Sequence, residues 1–246
     1  MKTTGNTVLI TGGATGIGFA FAEDLVKTGN EVIICGRREH LLKEAKEKLP
    51  QIHIRICDVS NEKERDDLYQ WVISNFKDIN VLINNAGIQR TIDLKKGTQD
   101  LFSGEDEIDT NLKACIFLSA YFIPYFLKKK EAAIVNVSSG LGFIPRAAFP
   151  VYCATKAALH SFSLSLRHQL SETSIKVFEV IPPAVDTELN KVGRKGQHIG
   201  ITPAEVAKVA LEAFGKDEYE VAVGMAQNLR MGARTNPEEA FQGINR

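Results

Sequence analysis

Short apolar runs alternate along the chain with longer stretches in which apolar residues recur every three or four positions. The runs "NTVLIT", "EVIICG", "IHIRIC", "INVLIN", "AAIVNV" and "IKVFEVI" have the length and composition of strands. Between them, "GIGFAFAEDLVKTG" and the stretches 39–49, 61–76, 106–128 and 153–171 carry the helical period, with Gly29 placed to end the first of these in a left-handed conformation. Near-continuous apolar strands separated by helices imply a parallel sheet, because parallel strands need long crossovers and become buried beneath them on both faces. The pattern predicts a doubly wound α/β fold. It runs through 1–246 without a repeat, low-complexity tract or linker, so a single domain is expected. The stretch 188–200, "ELNKVGRKGQHIG", departs from it; charged, glycine-containing and poor in apolar residues, it predicts a loop of the kind that meets substrates.

Composition narrows the function classes. A chain of 246 residues can bury a substantial core, and its 30 basic and 30 acidic residues leave no net charge. Apart from "KKK" at 128–130, which suits a helix C-terminus, Lys and Arg form no stripe, so a nucleic-acid partner has no electrostatic footprint. No run is long enough to span a bilayer and "MKTTGNTVLI" has too short an apolar run for a secretion signal, which makes a cytoplasmic protein the expectation. Cys35, Cys57, Cys115 and Cys153 are widely separated, as reduced core thiols are, rather than spaced as disulfides or metal ligands. His160 and His168 read as helix-surface or packing residues, and no metal site is expected.

Two stretches carry chemistry. "TGGATGIG" follows the first strand and opens the first helix, with Gly12, Gly16 and Gly18 in a TGxxxGxG arrangement. Glycines allow a tight turn and a close backbone approach to a pyrophosphate, whose charge is favoured at the helix N-terminus. Further on, "VYCATKAAL" sets Tyr152 and Lys156 one helical turn apart, so that both side chains rise from one face. A neighbouring cation favours phenolate and would draw the tyrosine pKa down from about 10. Tyr125 and Lys129 share that spacing, and on spacing alone a solvated helix face is the better reading of either pair.

Over nearly its whole length the sequence resembles the short-chain dehydrogenases/reductases. The resemblance rests on "TGGATGIG", "CDV" with Asp58, "NNAG" at 84–87, Asn111, "VNVSS" ending at Ser139, and Tyr152 with Lys156, all in order. Ser139 precedes Tyr152 by thirteen residues, as in that family, whereas Leu112 stands thirteen before Tyr125; the resemblance therefore selects Tyr152 and Lys156. Longer stretches such as "KGTQDLF" and "PVYCATKAALHSFSLSLRHQL" are similar to a bacterial branch, the DltE-like oxidoreductases. The family implies a Rossmann-type domain in which nicotinamide hydride reduces a carbonyl while Tyr152 donates the proton and Ser139 hydrogen-bonds the oxygen. It further implies that Lys156 holds the ribose and that Asn111 holds a water linking Lys156 to solvent. Gly12, Thr15, Gly16, Ile17, Gly18, Asp58, Val59, Asn85, Val185 and Thr187 would complete the cofactor site, with Asp58 on the adenine amine and Asn85 on the adenosine side.

At the end of the second strand, where NAD-preferring relatives carry an acidic residue, stands Gly36, followed by Arg37 and Arg38. Their forked cations suit a 2′-phosphate, which makes NADP(H) the expected cofactor over NAD(H). Pro183 replaces the family's usual glycine, and the C-terminal "EYEVAVGMAQNLRMGARTNPEEAFQGINR" is expected to lack the usual closing strand. That second departure favours a homodimer, through the helices near 106–128 and 153–171, over a tetramer. Leu141, Phe143, Ile144 and Phe149 favour a small carbonyl or alcohol substrate with an apolar part. The alternative is a non-catalytic NADP(H)-binding sensor, for which the proton relay would be superfluous.

Overall fold

The computed structural model describes residues 1–190 and 200–246; of the loop anticipated at 188–200, residues 191–199 lie outside the described residues, and Glu188–Asn190 form a 3-10 turn. Seven strands, β1 (Thr7–Thr11), β2 (Glu31–Gly36), β3 (His53–Ile56), β4 (Ile79–Asn84), β5 (Ala132–Val137), β6 (Ile175–Ile181) and β7 (Glu220–Ala222), form one sheet. Its order is β3-β2-β1-β4-β5-β6-β7 and every pairing is parallel. Helices α1 (Gly16–Lys27), α2 (Glu39–Lys48), α3 (Glu62–Asn75), the single-turn α4 (Gln99–Phe102), α5 (Ala114–Phe126), α6 (Pro150–Gln169) and α7 (Pro203–Gly215) link the strands. After β7 come α8 (Met225–Thr235) and α9 (Pro237–Ile244).

The apolar runs work as double-sided strands. Val8 and Ile10 of β1 join a core with Phe21 and Leu25 of α1, Leu42 of α2 and Phe214 of α7, while Leu9 between them joins a core on the opposite face with Leu68, Phe122 and Leu166. Gly29, at φ 79°, ends the first helical segment as the pattern required, its N–H donating to Val26 O at 3.0 Å. Because chain order reverses between β1 and β4, the crossovers leave in opposite directions there, and the crevice beyond the strand C-termini opens at that point.

One expectation needs correction. The closing strand is present: β7 pairs with β6 from Glu179↔Glu220 to Ile181↔Ala222, three residues too short to show in a pattern of alternation. The helix anticipated from about 106 begins at Glu107, and inside it Asp109–Lys113 form a wide π turn before the regular α5 at Ala114.

Candidate active site

A cavity of about 950 Å³ occupies the crevice and is lined from the Gly12–Ile17 turn to the N-terminal half of α6. At one end, β1 delivers the chain into the glycine turn. Gly12 has φ 64°, and a Cβ on it would stand 2.9 Å from Ala86 Cα; Gly16 has φ 57°, where any side chain is strained. No side chain caps α1, whose first residues Gly16 and Ile17 line the cavity. Gly18 lies behind the turn, where a Cβ would sit 2.5 Å from Gly12 O.

Thr15, Ile17, Arg37, Arg38, Val59, Asn85, Val185 and Thr187 also line this cavity. Asn85 is occupied structurally, its amide donating to Thr11 O at 2.9 Å and Gly12 O at 3.1 Å, so that it fixes the glycine turn. Asp58 stands outside the lining and accepts from Ser60 N and Oγ, with Oδ2 3.8 Å from the Arg37 guanidinium. Both arginines are themselves paired across the mouth, Arg37 with Glu105 at 2.8 Å and Arg38 with Glu188 at 2.8 Å. Neither glutamate carries a sequence signal, because each meets its arginine only through the fold.

At the other end, β5 runs into Ser139, whose Oγ accepts from Leu141 N and caps a 3-10 turn. Pro150 pre-sets the first turn of α6, from which Tyr152 and Lys156 project into the same cavity, both buried. Ser139 hydrogen-bonds the Tyr152 phenol. Lys156 Nζ lies over the phenol ring, 5.7 Å from its centroid, and donates to Val137 O at 2.8 Å. Burial pushes the Tyr152 phenol up to about 12, the Ser139 hydrogen bond pulling the other way. The anticipated depression by Lys156 is not what sets the phenol: burial decides its direction against the Ser139 hydrogen bond, and burial lowers the Lys156 pKa as well. Tyr125, by contrast, donates to Lys77 O at the surface, with Lys129 over its ring, away from the cavity.

Asn111 sits in the π turn with three side-chain hydrogen bonds: Oδ1 accepts from Ile88 N at 2.8 Å, while Nδ2 donates to Ile88 O at 2.8 Å and Thr155 Oγ1 at 3.2 Å. The carboxamide thus ties the β4–α4 connection to α6 directly beside Lys156. Behind Ser139 lies a cluster that sequence reasoning missed. Glu179 of β6, wholly buried, accepts from Ser138 Oγ at 2.5 Å and meets His160 Nδ1 at 2.7 Å. His160 also packs on the Phe143 ring, with centroids 4.6 Å apart, so the packing reading holds and the partner Glu179 adds to it. The α8–α9 pair was missed too, and it supplies Met225, Leu229 and Ile244 to the cavity wall.

Residues 6–198 match the family model for short chain dehydrogenases. The chain belongs to that family. It is 50% identical to the oxidoreductase DltE of Bacillus subtilis (strain 168) over 248 residues, covering 100% of this chain and 98% of the relative, so the family resemblance extends to the DltE-like branch. Among solved structures, a short chain dehydrogenase from Burkholderia cenocepacia in complex with NADP superposes with TM-score 0.85 at 25% identity, over 99% of both chains. A Burkholderia phymatum member in complex with NAD superposes with TM-score 0.84 at 20% identity, over 100% of this chain and 97% of that one. Members of the family bind a nicotinamide cofactor, and these two neighbours carry different ones. No helix among the described residues is long and apolar enough to cross a membrane.

Proposed function

We propose that the protein is an NADP(H)-dependent oxidoreductase that interconverts a carbonyl compound and its alcohol, with Tyr152 as proton donor and acceptor. The observation that carries this reading is the convergence of buried Ser139, Tyr152 and Lys156 on the cavity that the glycine turn enters from its far end. The cleft fits a dinucleotide: uncapped N–H groups at α1 suit a pyrophosphate, and Lys156, with three protons, spends one on Val137 and has others for ribose hydroxyls.

The bound nicotinamide would supply the hydride. Ser139 hydrogen-bonds the substrate oxygen as charge develops on it, and Tyr152 gives it a proton. A phenol with a pKa near 12 is protonated throughout the neutral range, which favours the reducing direction. Asn111 holds Ile88 and Thr155 in register around Lys156 and so acts as a positioning residue. Arg37 and Arg38 at the rim support NADP(H) over NAD(H), with no carboxylate at Gly36 to repel the phosphate. Four buried, unpaired cysteines suit a cytoplasmic, reducing location. The dimer reading now rests on α5 and α6, where Phe117 and Leu164 are exposed, because β7 removes the argument from a missing strand.

The test is a panel of aldehydes and ketones scored by NADPH absorbance. Tyr152→Phe should abolish turnover with NADPH affinity nearly unchanged, and Tyr125→Phe should change neither. A Tyr152→Phe protein that keeps most of its activity overturns the mechanism.

A further inference from the structure

Four cations line the cavity among the described residues, and three have partners: Arg37 with Glu105, Arg38 with Glu188, and Lys156 with the Val137 carbonyl. The fourth, Arg146, lies six residues before Tyr152, at the substrate end. Its guanidinium makes no ion pair or hydrogen bond with any described residue and rests over the Phe149 ring, 5.5 Å from the centroid. Stacking uses the face of the guanidinium and leaves its N–H edge free for a planar oxyanion.

The backbone on both sides of this arginine is fixed. Asn245, just beyond α9, accepts from Ala147 N at 2.6 Å and donates to Pro145 O at 3.1 Å, while Arg146 N itself donates to Cys153 Sγ at 3.3 Å. Cys153 adjoins Tyr152 on α6, so the position of Arg146 is tied to that of the proton donor. The same cavity is lined by the apolar side chains of Leu141, Phe149, Leu229 and Ile244.

We infer that the substrate is an oxo-carboxylic acid: a carbonyl compound whose apolar chain ends in a carboxylate that Arg146 grips, while the carbonyl faces Ser139 and Tyr152. This inference rests on the oxidoreductase reading above and adds the charge of the substrate to it. The apolar wall alone favours a neutral chain, and Arg146 sets its far end. A carboxylate forked onto a fixed guanidinium also orients the chain, so that one carbonyl position along it is presented for reduction.

The experiment measures kcat/KM with NADPH for a series of aliphatic oxo-carboxylic acids of increasing chain length, each against its methyl ester. Wild-type protein should prefer the acid by about tenfold or more at the best length, as one charge-assisted hydrogen bond suffices for that ratio. Arg146→Gln should erase the preference by slowing the acid while leaving the ester unchanged, and Arg146→Lys should restore part of it. Equal rates for acid and ester in wild type, or an Arg146→Gln loss shared by both, overturns the inference. In either case ester turnover that Tyr152→Phe abolishes leaves the oxidoreductase reading intact. If no compound consumes NADPH, that reading fails, and calorimetric titration of the same pairs still decides the charge question: tighter binding of the acid supports the inference, while equal or absent binding sinks it.

Discussion

Replacing Glu105 with glutamine should tighten NADPH binding and leave NADH almost untouched. In the structure Glu105 takes both terminal nitrogens of Arg37, at 2.8 and 2.9 Å, on the rim of the cavity where a 2′-phosphate would lie. The phosphate must displace that carboxylate. Charge-assisted hydrogen bonds to the phosphate contribute about 1.5–3 kcal/mol. Against this stands the pair being broken, whose side chains are 37% and 54% exposed, which limits it to about 0–1 kcal/mol. The difference, about 0.5–3 kcal/mol, gives NADPH a preference of roughly two- to a hundredfold in the wild-type protein. In Glu105→Gln the competing pair disappears, and with it a negative charge next to the phosphate worth about 1 kcal/mol at water-like screening. NADPH affinity should therefore rise about five- to thirtyfold and NADH affinity less than about twofold. Arg37→Ala should do the reverse, weakening NADPH far more than NADH. Fluorescence titration of both cofactors against the three proteins reads this directly, and added salt should shrink every difference. A change shared equally by the two cofactors would refute the assignment of Arg37 to the 2′-phosphate. Equal wild-type affinities would restore NAD as the working cofactor.

Three further outcomes follow from the geometry. With the Tyr152 phenol up to about 12 it remains an acid below that pH, so kcat/KM for carbonyl reduction should be flat between about pH 6 and 9 while alcohol oxidation, which needs phenolate, climbs with pH; a reduction profile that falls with a midpoint near neutrality contradicts this. Removing the carboxylate in Glu179→Ala leaves Ser138 and His160 without their shared buried partner and should cost about 3–5 kcal/mol in urea unfolding, and a loss below about 1 kcal/mol would show that the cluster is not structural. Light scattering should report a dimer that Phe117→Glu or Leu164→Glu weakens, and an unaffected assembly would place the interface elsewhere.

Five of the longer strands were legible because each buries both faces and so spells out an apolar run, and β3, with no fully buried residue, showed only by its alternating isoleucines; β7 was not, since three residues with one buried side chain make no pattern. Helix α8 escaped for a similar reason, with Ala226 its only buried residue. Within the site, Tyr152 and Lys156 could be read because they lie on one helical turn inside a long motif. Glu179, His160 and Ser138 could not, as they come from β6, α6 and the end of β5, separated by 19 and 41 positions. The pairing of Arg37 with Glu105 spans 68 positions and depends on how the β4–α5 connection crosses the cleft. The phenol pKa was misjudged for a related reason: spacing shows that a cation is near, but burial is a property of the whole fold.

The π turn at Asp109–Lys113 accommodates one residue more than a regular helical turn over the same rise. That surplus works as a phase adjuster. Within it Asn111 must look toward Ile88 and Thr155; downstream, Leu118, Phe122 and Phe126 must look toward the sheet. A continuous α-helix turns by about 100° per residue and fixes both directions with a single rotation. The inserted residue decouples them, so that the lining of the cleft and the packing of the core can each be tuned without rotating the other. Deleting a single residue here would make a more regular helix and swing either the asparagine or all three core side chains out of place.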